Sequence, residues 1–174
     1  MPYTVISPTE ISGPIVYTTK NRPFHTAICE DEQSSQLGLI GRYGLPSRTD
    51  LPFIQSFAAR HELSFLGDLD PPDLLIFAWL RIQLRPQPIR YLGISDWYVE
   101  RLRVVLRQSS QISLSESEQG ALALFAAVLP DCRSLVGDDC WALLQSGRKI
   151  ELEAIVSGMT NRSLLLRPVL AERP

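Results

Sequence analysis

Asp68 and Asp70 are the residues whose type and spacing are best suited to chemistry. They stand two apart in Gly67-Asp68-Leu69-Asp70-Pro71, directly after the apolar run Ser64-Phe65-Leu66. If that run is a buried strand of a parallel sheet, both carboxylates lie at its carboxyl end, where open α/β sheets bind ligands. Two carboxylates converging there suit Mg²⁺, a hard ion that takes oxygen ligands and keeps several waters. A structural reading competes with this one. In it Asp70 caps the helix that Pro71 and Pro72 open, where a missing amide proton costs nothing, and Asp68 is merely solvated. Arg42 and Arg48 flank the glycine loop Gly41–Gly44 and are candidates for phosphate oxygens, set against solvated loop arginines. His25 and His61 have neither ligand nor triad spacing. Ser47 lacks a G-x-S-x-G setting and reads as a helix cap.

These candidates need elements to hold them. Pro14–Thr19 is short and β-branched and predicts a first strand, and Leu37–Gly41, Ser64–Gly67 and Ile89–Ile94 predict three more. Between them, apolar residues recur at helical spacing. Asn21 caps a segment with Phe24, Ala27 and Ile28 that runs to about Gln33. Ser47 precedes Leu51, Ile54, Phe57 and Ala58. Pro71 opens a helix through Leu80, and Ser95 caps one with Trp97, Val99 and Leu102 inside. Strand and helix alternating in this way predict βαβ units around a parallel sheet. The expected fold is α/β, a mostly parallel sheet of about four strands flanked by helices, with a helical C-terminal third. Its helices are placed at Glu118–Leu129, Asp138–Gln145 and Lys149–Val156. The expected organisation is an arm over 1–13, a core over 14–107, a linker over 108–117, a helical part over 118–166 and a tail over 167–174.

Composition sets the class. The chain has 174 residues, 45% hydrophobic and 21% charged, which excludes a disordered tail, a fibre and a coiled coil. No apolar stretch is long enough to span a bilayer, and the first residues lack the pattern of a secretory signal. Cys29, Cys132 and Cys140 are odd in number and without C-x-x-C spacing, which predicts neither a disulfide framework nor a zinc site and fits a reducing cytoplasm. The net charge of −2 makes no global demand for nucleic acid. Of the 17 Lys and Arg residues only Lys20 and Lys149 are lysine. Arg101, Arg103 and Arg107, with Trp97 and Tyr98, define either a solvated basic helix face or a nucleic-acid or partner surface.

Four segments in order resemble a known family. Phe65-Leu-Gly-Asp-Leu-Asp-Pro is similar to the DxDP motif of Toprim domains, and Gly41-Arg-Tyr-Gly-Leu-Pro-Ser to the glycine loop after their second strand. Arg90-Tyr-Leu-Gly-Ile resembles a later strand of the topoisomerase VI A subunit, and Arg148-Lys-Ile-Glu-Leu-Glu-Ala-Ile its C-terminal helix. The relatives implied are that subunit, the meiotic double-strand-break proteins and the Toprim nuclease subunit of Wadjet-type plasmid defence. The resemblance implies a Toprim-like core with Mg²⁺ on Asp68 and Asp70, and contacts to DNA, to a partner subunit or to a second copy.

The departures from that family bear on function. Toprim domains carry a glutamate at the end of the first strand. One placement, which leaves a full helix before the second strand, sets Lys20 there; the other uses Glu30 or Glu32 as the acid/base group. Lys20 at that point would repel a metal but could neutralise an aspartate or meet a phosphate. Asp73 stands where the family has glycine. The family's nucleophilic tyrosine lies on a domain ahead of Toprim, for which the residues before the first strand leave no room, and Tyr3 does not replace it. Two main functions follow, with a third behind them. The first is a degenerate module that binds DNA or a protein without turnover. The other is a Mg²⁺-dependent phosphoryl-transfer enzyme using Asp68 and Asp70 with Glu30 or Glu32. A stand-alone phosphate or nucleotide binder built on Gly41–Gly44 and Arg42 is a third.

Overall fold

The computed structural model describes residues 3–6, 13–20, 37–42, 44–102 and 110–157. The proposed helix after Asn21, with His25, Cys29, Glu30 and Glu32, lies outside the described residues, as do Arg103 and Arg107.

Ile15–Thr18 (β2) is a run of β-branched and aromatic residues buried on all four positions, as a strand covered on both faces must be. It is central. Gly38–Arg42 (β3) pairs with it in parallel on one side and Leu63–Leu66 (β4) on the other, and Ile89–Tyr91 (β5) extends the sheet beyond β4. Tyr3–Ile6 (β1), which falls within the N-terminal arm, adds an antiparallel edge to β3. The order is therefore β1-β3-β2-β4-β5. The chain steps outward from β2 to β3, then returns past β2 to β4. The strand order thus reverses between β2 and β4, the point at whose carboxyl ends open α/β sheets form a crevice.

Helices cover this α/β sheet. Leu51–Ala58 (α1) begins at Asp50 rather than Ser47, whose amide donates to the Asp50 carboxylate at 2.7 Å. Pro71–Gln83 (α2) starts from Asp70 and sends Leu74, Phe77, Ala78 and Leu80 into the core. Tyr17, Phe65 and Tyr91 stand in register across β2, β4 and β5 with ring centroids 6.0 and 6.2 Å apart. Phe77 packs onto the last two at 5.6 and 5.0 Å.

Asp96–Leu102 (α3) joins the sheet to the C-terminal third. That third differs in detail from the sequence reading. The linker holds a strand, Gln111–Ser113 (β6), and the long apolar helix is two, Glu116–Leu122 (α4) and Phe125–Val128 (α5). Cys132–Val136 (α6) and Asp138–Gln145 (α7) follow. The segment from Lys149 is not one helix: Arg148–Ile150 (β7) pairs antiparallel with β6, and only Leu152–Ser157 (α8) is helical. The three-residue strands carry too little alternation for a period of two to be read. Trp79, Trp97 and Trp141 pack half-buried against the core and Tyr98 is fully buried, so of that basic face only Arg101 is exposed among the described residues.

Candidate functional site

Asp68, Asp70 and Asp73 converge with Thr19 and Lys20 in the crevice between the ends of β2 and β4. Their exposures are 0%, 7% and 5%, so all three carboxyls are buried. Asp73, in the first turn of α2, takes two hydrogen bonds on Oδ2, from the Thr19 hydroxyl and the Asp68 amide, each at 2.7 Å. It thereby ties the end of β2 to the loop after β4. Gly67 permits this approach, because a Cβ there would lie 2.7 Å from Asp73 Oδ2 and from the Phe65 ring. Asp70 Oδ1 accepts the Asp73 amide at 2.8 Å, the N-cap bond anticipated for the structural reading.

Asp68 is not solvated. Its Oδ1 accepts the Leu152 amide at 2.8 Å, and its Oδ2 lies 2.6 Å from Lys20 Nζ. The second contact is a close ion pair, and it supplies the counter-charge to an otherwise unbonded oxygen. Lys20 Nζ also reaches Glu153 Oε2 at 3.7 Å. The loop after β4 is bound to the C-terminal segment through Leu69 and Ile150, whose backbones exchange hydrogen bonds of 2.9 and 3.2 Å. Lys149 Nζ stands 2.8 Å from Glu118 Oε1 and 3.7 Å from Glu151 Oε1.

Burial dominates the electrostatics. It raises Asp68 to about 6, against the opposing pull of Lys20 and the Leu152 amide. It raises Asp70 to about 7, with the Asp73 charge adding to the rise and the Asp73 amide, Lys149 and Lys20 opposing it. Asp73 is raised to about 6, first by burial and then by Asp68. Burial works against the Lys20 ammonium, but the Asp68 contact, with Glu153 and Asp73 behind it, outweighs burial and raises its pKa. Lys20 and Asp68 are therefore both ionised at neutral pH.

Arg42 and Arg48 have different surroundings. Arg42 Nε pairs with Asp50 Oδ2 at 2.9 Å and its guanidinium also donates to the Leu45 carbonyl, so it braces the loop leaving β3. Arg48 is exposed on the turn before α1. Among the described residues no three His, Cys, Asp or Glu side chains are grouped to hold a metal ion. Beside the carboxylates, a groove of about 450 Å³ is lined by Leu45, Pro72, Leu75, Ile76 and Ala121, with Ser117 and Glu118. Thr19, Glu153 and Lys149 were not legible as site residues. For Lys149 one signal existed, its rarity: the chain has only two lysines, and the charges of both act on Asp70.

No protein-family model matches the chain, and no curated protein sequence matches it.

Proposed function

We propose that the chain is a degenerate Toprim-like module that binds a protein partner, a second subunit or a second copy, without turnover. The observation that carries this reading is the 2.6 Å contact between Lys20 Nζ and the fully buried Asp68. An ammonium there supplies the positive charge that a Mg²⁺ ion would otherwise bring, and the other Asp68 oxygen is taken by the Leu152 amide. With both its oxygens engaged, Asp68 is a poor ligand for Mg²⁺, which needs free oxygens and room for water. A protein partner is favoured over DNA by the net charge of −2 and by the apolar groove, near which Leu45 is exposed. No described helix is long and apolar enough to cross a membrane. The buried free thiols of Cys132 and Cys140 suit a reducing cytoplasm.

One observation favours the enzyme reading. The Asp70 carboxyl, pushed up to about 7 beside the crevice, has the acidity of a general acid or base near neutral pH. A titration with Mg²⁺ or Mn²⁺, followed by thermal unfolding, separates the two. The melting temperature of the wild type is expected to stay constant up to millimolar metal. A rise that is lost in the Asp68→Ala/Asp70→Ala variant would overturn the binding-module reading, because only an ion bound to the native state stabilises it. Metal-dependent phosphoryl transfer with Glu30 or Glu32 would then take its place, with DNA as the substrate to test.

A further inference from the structure

The crevice between β2 and β4 is where an open α/β sheet accepts a ligand. Here the chain's own segment Arg148–Glu153 lies across it. Three bonds fix that segment to the loop after β4: the Leu69 amide to the Ile150 carbonyl, the Ile150 amide to the Leu69 carbonyl, and the Leu152 amide to Asp68 Oδ1. The chain's two lysines, one outside the segment and one within it, each join it to a different element. Lys20, past the end of β2, reaches Glu153 in α8 at 3.7 Å while holding Asp68 at 2.6 Å. Lys149, within the segment, holds Glu118 of α4 at 2.8 Å and Glu151 at 3.7 Å. A compact ammonium with three donors can serve carboxylates arriving from different directions, whereas the flat fork of arginine is matched to one.

We infer that Arg148–Glu153 is an autoinhibitory latch over the crevice, fastened at its outer end by Lys149 and Glu118. When it opens, Asp68 Oδ1 loses the Leu152 amide and the ends of β2 and β4 become accessible, while the sheet stays folded. The inference rests on the binding-module reading, in which the crevice is closed by protein groups. It is tested without metal, so its failure is distinct from that of the titration above.

Amide hydrogen exchange of the full chain, read residue by residue by NMR, is the test. In Lys149→Met the amides of Leu69, Ile150 and Leu152 are expected to exchange about tenfold faster or more, with those of Tyr17 and Phe65 unchanged. Glu118→Gln removes the same ion pair from the other side and is expected to match it. Acceleration of latch and sheet amides together would mean the segment is an inseparable part of the core, and unchanged latch amides would mean Lys149 fastens nothing. Either result overturns the inference.

Discussion

Lys20 carries a charge that Asp68 cannot do without. Asp68 is fully buried, so removing the ammonium leaves a carboxylate with only the Leu152 amide to stabilise it. Lys20→Met is expected to cost about 3 kcal/mol in urea denaturation, the low end for breaking a buried pair because Lys20 is 21% exposed. Lys20→Met/Asp68→Asn should recover part of that loss, since the second change removes the unpaired charge. A double variant no more stable than Lys20→Met would show that the pair is not the source of the effect.

Among the elements, the junction of α3 and α7 is the most exacting. Asp96 opens α3, yet its carboxylate accepts the Asp139 and Cys140 amides at 3.0 and 2.9 Å, capping α7 from a distance in sequence. Gly137 makes room for it: its φ is +93°, and a Cβ would collide with the Asp96 carboxylate. Gly137→Ala is expected to destabilise by roughly 1–3 kcal/mol through backbone strain and the clash, and Asp96→Ala by about 1 kcal/mol as a lost cap. Because the two residues share one junction, the double variant should lose less than the sum, and thermal unfolding of all three proteins checks this. Additive losses would place the two effects in separate parts of the structure.

For the molecule as a whole, the buried carboxyls set how stability depends on pH. Asp68, Asp70 and Asp73 have folded pKa values of about 6, 7 and 6, raised above the ordinary 3.8. A raised acid binds its proton more tightly in the folded chain. Its contribution is thus fully present below about pH 4 and is lost as pH rises through 6 to 7. The melting temperature is expected to fall between about pH 5 and about pH 8, and Asp70→Asn, which keeps a capping side chain, should flatten that fall. Calorimetry across the range decides it; a melting temperature that climbs over the same interval would mean that the ion pair with Lys20 outweighs burial.

Local signals in the chain were enough for the α/β alternation, for the buried strand ahead of Gly67, and for Asp70-Pro71-Pro72 as a helix start, because each depends on neighbours in sequence. They also placed Asp68 and Asp70 at a strand end, while Lys20 as a candidate to neutralise an aspartate came only from the resemblance to Toprim domains. They did not reveal that β1 lies along β3, that the linker holds β6, or that Arg148–Ile150 is a strand. Pairing between short strands is decided by partners far away in the chain, not by their own composition. The setting of Asp68 is the clearest case. Lys20 lies 48 residues before it and Leu152 lies 84 after it. Only the sheet order, which brings the ends of β2 and β4 together beneath β7 and α8, turns a spaced pair of aspartates into a buried, ion-paired cluster. Charge and burial act through space, so a carboxylate's partner and its acidity belong to the tertiary structure.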